Sequence, residues 1–360
     1  MPAGPDRDSV LEALRVVVDP DLRKDIVALN FVKDVTIDQG RVGFTIELTT
    51  PACPVKDQMR DQAVAAVRAL PGVSTVEVQL TAKVRSVSAP EAGRPPVPGV
   101  KNVIAVGAGK GGVGKTTVAV NLALALSRCG SRVGILDGDI YGPNVPIMLG
   151  VRTQLMHDGE KIAPAEKYGI SAVSMGFLTN DDAPVIWRGP MLHGVVTQFF
   201  RDVRWPELDY LIVDMPPGTG DVALSLSQSV PVAGAVVVTT PQRVSLADTR
   251  RAVKMYEKLN APVLGLIENM SHFVCPGCGR EADLFGRGGG EGLATELGVP
   301  FLGRIPLYEP VRSGGDNGIP IVIGEPDSAP GQALFAAAER VAARISIASY
   351  ARTIPLTPVP

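Results

Sequence analysis

Eight residues, GKGGVGKT at 109–116, fit the pattern GxxxxGK[ST] and lie between the apolar run NVIAVGA and the helical run TTVAVNLALALS. No other stretch of this chain narrows its fold so far. Such a loop needs a strand before it and a helix after it, so that its backbone N–H groups turn inward around a phosphate chain at the helix N-terminus. Lys115 is then placed to reach β- and γ-phosphates, and the Thr116 hydroxyl to bind Mg2+. Gly109, Lys110, Gly111, Gly112, Val113, Gly114 and Thr117 complete the expected cradle for a nucleotide.

The rest of the C-terminal two thirds agrees with that demand. RVGILDGD, LDYLIVDMP, GAVVVTTP and PVLGLIENM are short apolar runs, each followed by a loop and mostly by a helical segment. This alternation predicts an α/β fold with a doubly wound, mostly parallel sheet, whose functional loops gather at the carboxyl ends of the strands. The late run GQALFAAAERVAARISIASYA predicts an amphipathic helix packed on that sheet. Carboxylates follow two of the apolar runs: Asp137 and Asp139 in ILDGDIYGPN, and Asp214 in LIVDMPPGTGD. Burying a carboxylate unpaired is too costly for a core position, so these point to chemistry. Asp214 is expected to hold Mg2+, with Asp137 beside it, and Asp139 to orient the attacking water of a hydrolysis. PPGTGD, through Asp221, reads as a switch loop sensing the γ-phosphate.

Residues 84–100, VRSVSAPEAGRPPVPGV, carry four prolines and suit a semi-rigid spacer. The expected organisation is a small α+β domain over 1–83, this linker, a nucleotide-binding domain over 101–350 and a tail over 351–360. In the small domain the patterns run α-β-β-α-β, with a hairpin turn at Gln39-Gly40. At 45% apolar and 20% charged residues the chain can bury a sizeable core. A net charge of −2 leaves no basic footprint for nucleic acid or an anionic membrane. No apolar run reaches the length of about 18 residues needed to span a bilayer. The start MPAGPDRDS lacks the basic and apolar regions of a secretory signal, and four cysteines in so long a chain suit a reducing cytoplasm.

Four cysteines in so long a chain make no disulfide framework. Two of them form CPGC, Cys275 and Cys278, ahead of the glycine-rich FGRGGGEG. CxxC serves zinc knuckles, iron–sulfur clusters and redox pairs. The redox use wants a helix N-terminus in a small βαβ fold, which is not the context here. Pro276-Gly277 favours a tight knuckle with both sulfurs on one side. Two thiolates are half of a four-ligand site, and the other half must come from elsewhere. Cys53, in TTPACPVKD ahead of a helix, is one source; Cys129 reads as structural and His272 as an exposed loop histidine. A second copy of CxxC in a dimer is the other source, and four thiolates suit zinc or a [4Fe–4S] cluster alike.

The phosphate loop resembles the deviant P-loop of the MinD/ParA and nitrogenase-iron-protein superfamily, where a second lysine, here Lys110, reaches across a nucleotide-sandwich dimer. More narrowly, AVGAGKGGVGKTTVAVNLALAL, LDGDIYGPNVPIMLG, WRGPM, YLIVDMPPGTGD, VVVTTPQ, IENMSHFVCPGCG and FGRGGGEGLATELGVPFLGRIPL resemble the Mrp/ApbC-type iron–sulfur cluster carrier ATPases. These stretches cover nearly all of residues 101–325 in the family's order. DPDLRKDIVALNFVKDV…TTPACP resembles the small iron–sulfur-assembly domain often fused ahead of them, with Cys53 at its characteristic cysteine. Asn30-Phe31 stands where that domain commonly has glycine and an aliphatic residue, and Asn144 where the ATPase often has serine.

The resemblance implies a cytoplasmic homodimer holding a labile [4Fe–4S] cluster between paired Cys275/Cys278 motifs and delivering it to apo iron–sulfur proteins. It implies ATP binding and slow hydrolysis, and gives Asn269 an adenine contact. A MinD/ParA-like positioning ATPase would call for a basic amphipathic tail and would give CxxC no purpose. A reductase like the nitrogenase iron protein uses widely spaced single cysteines. A zinc-bridged dimeric regulatory ATPase would use the same four sulfurs, and only the resemblance tips the metal toward iron.

Overall fold

The computed structural model describes residues 5–87, 95–139, 142–152, 159, 161–177, 198–218, 229–275 and 277–351. Residues 88–94 of the spacer, WRGPM at 187–191, Asp221 with the end of PPGTGD, Pro276 and residues 352–360 lie outside them. The chain divides into two compact units, residues 1–85 with 342–360, and residues 86–341.

In the first unit α1 (Arg7–Leu14), β1 (Val18–Asp19), β2 (Lys24–Asp25), β3 (Val32–Asp38), β4 (Arg41–Leu48), α2 (Lys56–Arg68) and β5 (Thr75–Ala82) follow one another. The sheet runs β3-β4-β5, antiparallel then parallel. Alternate residues of β4, Val42, Phe44, Ile46 and Leu48, are buried, and they meet Val10 and Leu14 of α1 and Met59, Ala63 and Val67 of α2 in one core. This is the period-2 pattern of a half-buried strand. Gln39 and Gly40 turn the β3–β4 hairpin with φ of 45° and 85°, the positive pair that a type I′ turn requires. Asn30 has φ 57°, a left-handed position that asparagine tolerates better than most residues, which accounts for its standing in for glycine.

The second unit contains β6 (Val100–Ala108), α3 (Lys115–Arg128), β7 (Val133–Asp137), α4 (Val145–Leu149), β8 (Ala165–Lys167), β9 (Ile170–Val173), β10 (Leu208–Asp214) and β11 (Val232–Thr239). It continues with α5 (Arg243–Lys258), β12 (Val263–Val274), β13 (Glu281–Ala282), α6 (Gly289–Leu297), β14 (Phe301–Leu307), α7 (Glu309–Asp316), α8 (Ile321–Gly324) and the start of α9 (Ala329–Ala351). The sheet order is β13-β12-β11-β6-β10-β7-β9-β8, with β14 also paired to β12. From β14 through to β9 every pairing is parallel, whereas β8 and β13 join antiparallel at their neighbours' sides. β7 and β10 are buried along their whole lengths, which is why they read as unbroken apolar runs. β6 lies between β10 and β11, the point where strand order reverses and a crevice opens at the carboxyl ends.

The α9 helix is divided, where the sequence places all of it with the large sheet. Leu334, Ala337, Ala338 and Val341 are buried in the second unit, while residues from Ala342 onward group with the first. There Tyr350, 3% exposed, meets Phe31 edge-on at 5.9 Å between ring centroids, and the Arg85 guanidinium lies 4.5 Å from the tyrosine ring. An aromatic ring buried so fully contributes through both area and ring geometry. Tyr350→Ala should therefore destabilise the first unit by about 3 kcal/mol, measured as a lower denaturant midpoint for its unfolding transition.

Candidate functional site

The phosphate loop leaves β6 at Ala108 and enters α3 at Lys115. Gly114 caps the helix in a left-handed conformation, φ 79°, and a Cβ there would come within 2.3 Å of Asn269 Nδ2. Only glycine meets both conditions. Lys115, 7% exposed, points back under the loop, with Nζ 2.6 Å from Asp214 Oδ1. The Thr116 hydroxyl donates to Asp214 Oδ2 at 2.7 Å. Asp214 ends β10 with no exposure at all; burial pushes its carboxyl pKa up, and the Lys115 ammonium and Thr116 hydroxyl oppose that shift. Touching hard oxygens on Thr116 and Asp214, beside a phosphate loop, are a donor set that Mg2+ accepts together with waters and phosphate oxygens, so the residues present fit that ion.

These groups open onto a cavity of about 590 Å³, within the range of small-molecule sites. Lys110, Gly111, Gly112, Gly114, Lys115, Thr116 and Thr117 form its floor, and Asp139 stands at its side, 3.9 Å from Lys115 Nζ. Asn269 and Met270 of β12, Pro306 and Leu307 of β14, Tyr308, Val311 and Arg312 about α7, and Ile147 and Met148 of α4 make a largely apolar wall. The Asn269 amide donates to the Val113 carbonyl at 2.9 Å, which ties this wall to the phosphate loop. Gly109 and Val113 are in the loop without lining the cavity; Val113 is buried, and its carbonyl is what Asn269 grips. The sequence offered no sign of the α7 wall, because apolar residues of this kind look like core.

Asp137 differs from its expected place around the metal. It is 1% exposed, lines no part of the cavity, and accepts hydrogen bonds on both oxygens. Oδ1 receives the Asp139 N–H at 3.2 Å, and Oδ2 receives the Val145 N–H at 3.2 Å and the Ser174 hydroxyl at 2.9 Å. The carboxylate thus braces the chain that carries Asp139 and starts α4. Burial, then the neighbouring Asp214 charge, pushes its pKa up to about 7, against the pull of Ser174 and Val145. Burial also raises the Asp139 pKa, with Lys115 acting the other way. Ser174, fully buried just beyond β9, carries no sequence signal of its own.

The CxxC motif is the tip of a hairpin. β12 and β13 pair through Phe273↔Ala282 and Val274↔Glu281, and the turn closes with Cys275 N–H to Arg280 O at 3.0 Å and Gly279 N–H to Cys275 O at 2.8 Å. Cys278 is exposed and Cys275 half-buried. Backbone N–H groups of Gly277 and Cys278, then the Cys278 thiol, hold the Cys275 thiol below the usual range. Such donors favour the thiolate, the form that binds soft metals. Among the described residues no three His, Cys, Asp or Glu side chains gather into a metal site, so the knuckle offers its own two sulfurs. Cys53 packs at the edge of the first unit's core, Cys129 caps the end of α3, and the His272 Nδ1 sits 2.9 Å from the Ser271 hydroxyl.

The glycine-rich run after the knuckle has a structural cause. Glu268, with no exposure, accepts the Gly288 N–H at 3.1 Å and the Gly290 N–H at 2.6 Å, capping α6. A Cβ on Gly290 would stand 3.0 Å from the Glu268 Cβ, so close wrapping needs its absence. Glu268 follows an apolar run as Asp214 does, and the same argument applied to ENM would have found it.

Residues 99–342 match the family model described as NUBPL iron-transfer P-loop NTPase, and residues 7–80 match that of an iron–sulfur cluster assembly protein. An iron–sulfur cluster carrier protein of Synechocystis sp. is 53% identical over 349 residues, 95% of this chain and 98% of that one. Among solved structures, a nucleotide-binding protein of Archaeoglobus fulgidus in complex with ADP is similar at 36% identity and TM-score 0.57, over 65% of this chain and 91% of that one. The cell division ATPase MinD of Pyrococcus furiosus follows at 25% identity and TM-score 0.51, over 67% and 98%. With a family model spanning most of its length and a relative this close across it, the chain belongs to the iron–sulfur cluster carrier family of P-loop NTPases.

Proposed function

We propose that this chain binds MgATP in the 590 Å³ cavity, hydrolyses it slowly, and carries a labile [4Fe–4S] cluster shared with a second copy of itself, handing it to apo iron–sulfur proteins in the cytoplasm. The observation that carries the reading is the two-thiol knuckle, directly after the strand that walls the nucleotide cavity, with Cys278 exposed and Cys275 half-buried. The carrier relatives and the ADP complex of the Archaeoglobus protein support its two halves. No helix among the described residues is long and apolar enough to cross a membrane.

In this reading Lys115 holds the β- and γ-phosphates, the loop N–H groups and the α3 N-terminus surround them, and the apolar wall takes the base beside Asn269. Mg2+ on Thr116 and Asp214 would supply charge neutralisation at the phosphates. Asp139, at the cavity's side, orients the attacking water. Lys110, half-buried in the loop, reaches the phosphates of the partner copy. A zinc-bridged regulatory dimer would use the same sulfurs, whereas a positioning ATPase would leave them idle.

Anaerobic reconstitution with iron and sulfide separates these readings. The wild type should gain the absorbance and metal content of one [4Fe–4S] cluster per two chains, and Cys275→Ala/Cys278→Ala should gain none. Zinc bound in place of any cluster, or equal loading of the double variant, would overturn the carrier reading. Lys110→Gln should lower hydrolysis about a hundredfold, the scale of one lost charge-stabilising donor, while the cluster is kept. Ser174→Ala removes one buried hydrogen bond from the Asp137 brace, and turnover should fall by about tenfold with the nucleotide Kd held; steady-state kinetics with a binding isotherm reads both.

A further inference from the structure

Six residues of β12, from Asn269 through Val274, join the nucleotide wall to the first thiol, Cys275. β12 and β14 pair in register as far as Asn269↔Ile305 and resume at Phe273↔Leu307. Four steps along β12 (269 to 273) are thus matched by two along β14 (305 to 307). The excess is a bulge, and Met270 within it is left-handed, φ 55°, which is rare for a side chain of that size. Opposite the bulge stands Pro306, which has no N–H to give a ladder. The Ser271 hydroxyl, fully buried, donates instead to the Ile305 carbonyl at 3.2 Å and so pins the bulge to β14. The same hydroxyl lies within hydrogen-bond distance, 2.9 Å, of His272 Nδ1.

Both ends of this segment are anchored. At one end Asn269 is tied to the Val113 carbonyl of the phosphate loop, and Met270 and Pro306 line the cavity. At the other, Phe273 and Val274 pair with β13 and lead directly into the Cys275–Arg280 turn. A flexible loop between two sites would absorb a displacement, and a regular ladder would resist one. A bulge held between two ladders by a side-chain hydrogen bond can repack without breaking either ladder, and so can pass a shift along.

We propose that the Asn269–Cys275 bulge couples the nucleotide cavity to the thiol knuckle, with Ser271 as the positioning residue that makes the coupling stiff. This rests on the nucleotide and thiolate readings above. The test uses the full chain without a cluster: alkylation of Cys275 and Cys278 by iodoacetamide, read by peptide mass spectrometry, with and without MgATP, beside a calorimetric nucleotide Kd. MgATP should change the wild-type alkylation rate about fivefold or more, the lower range of ordinary site–site coupling. In Ser271→Ala the change should shrink to less than about twofold, with the nucleotide Kd retained as evidence of an intact fold, and Ser271→Thr, which keeps the hydroxyl, should restore it. Wild-type thiols indifferent to bound MgATP, or a full response in Ser271→Ala, would overturn the coupling while leaving the nucleotide site intact. A wild type that binds no MgATP would remove the nucleotide reading itself, and the coupling with it.

Discussion

The carboxylate of Asp214 is the point on which the larger unit turns. It sits at the end of the central strand β10 with no exposure, where an unpaired charge costs several kcal/mol. Lys115 and Thr116 answer it from the first turn of α3, so a long-range ion pair and hydrogen bond lock the helix after β6 to the end of β10. Asp137 stands level with Asp214 on the neighbouring strand β7. Two carboxylates this close cannot both be left charged and bare. The sheet resolves this by giving Lys115 to one and three donors, Asp139 N–H, Val145 N–H and the Ser174 hydroxyl, to the other. The loops at three strand ends are thereby set by two acidic groups, and the position of Asp139 beside Lys115 follows from them.

A second cluster of constraints lies on β12. Glu268, Asn269 and Ser271 each use a side chain on a different neighbour: the α6 N-terminus, the phosphate loop and β14. Successive side chains of a strand face opposite ways, so a single strand can serve both faces of the sheet. The bulge at Met270 alters that alternation at the one place where Met270 lines the cavity. Local strain of this sort persists only where surrounding contacts over-determine it, and here the contacts come from both sides.

What could be read in the sequence was what short-range chemistry marks. The phosphate loop, the carboxylates ending apolar runs, the alternation of the sheet and the Gln39-Gly40 turn each carry a local pattern, and the structure has each of them. Pairings between distant segments carry none. Ser174 looks like any serine after a strand until Asp137 is found 2.9 Å away. Glycines at 288–290 look like a flexible loop until Glu268 is found inside it. The sequence sets both Asp137 and Asp139 at the nucleotide, yet one is a buried brace and the other faces the cavity, a difference made by neighbouring strands. The division of α9 between two units is hidden for the same reason, since alanine-rich helical spacing does not say which core receives Tyr350.

The exposure of the knuckle bears on what a carrier has to do. Structural zinc sites close four ligands around the metal within one chain and contribute directly to folding. Here the hairpin is held by its ladder, its turn hydrogen bonds and the left-handed Gly279, all of them backbone features. A tip shaped by its own backbone suits the proposed carrier role, because its form does not have to come from the metal. Backbone N–H groups of Gly277 and Cys278 lower the Cys275 pKa, which favours the thiolate form that the proposed cargo requires. In the proposed dimer two such half-sites would supply four thiolates, and the association of copies would then control when a cluster is held.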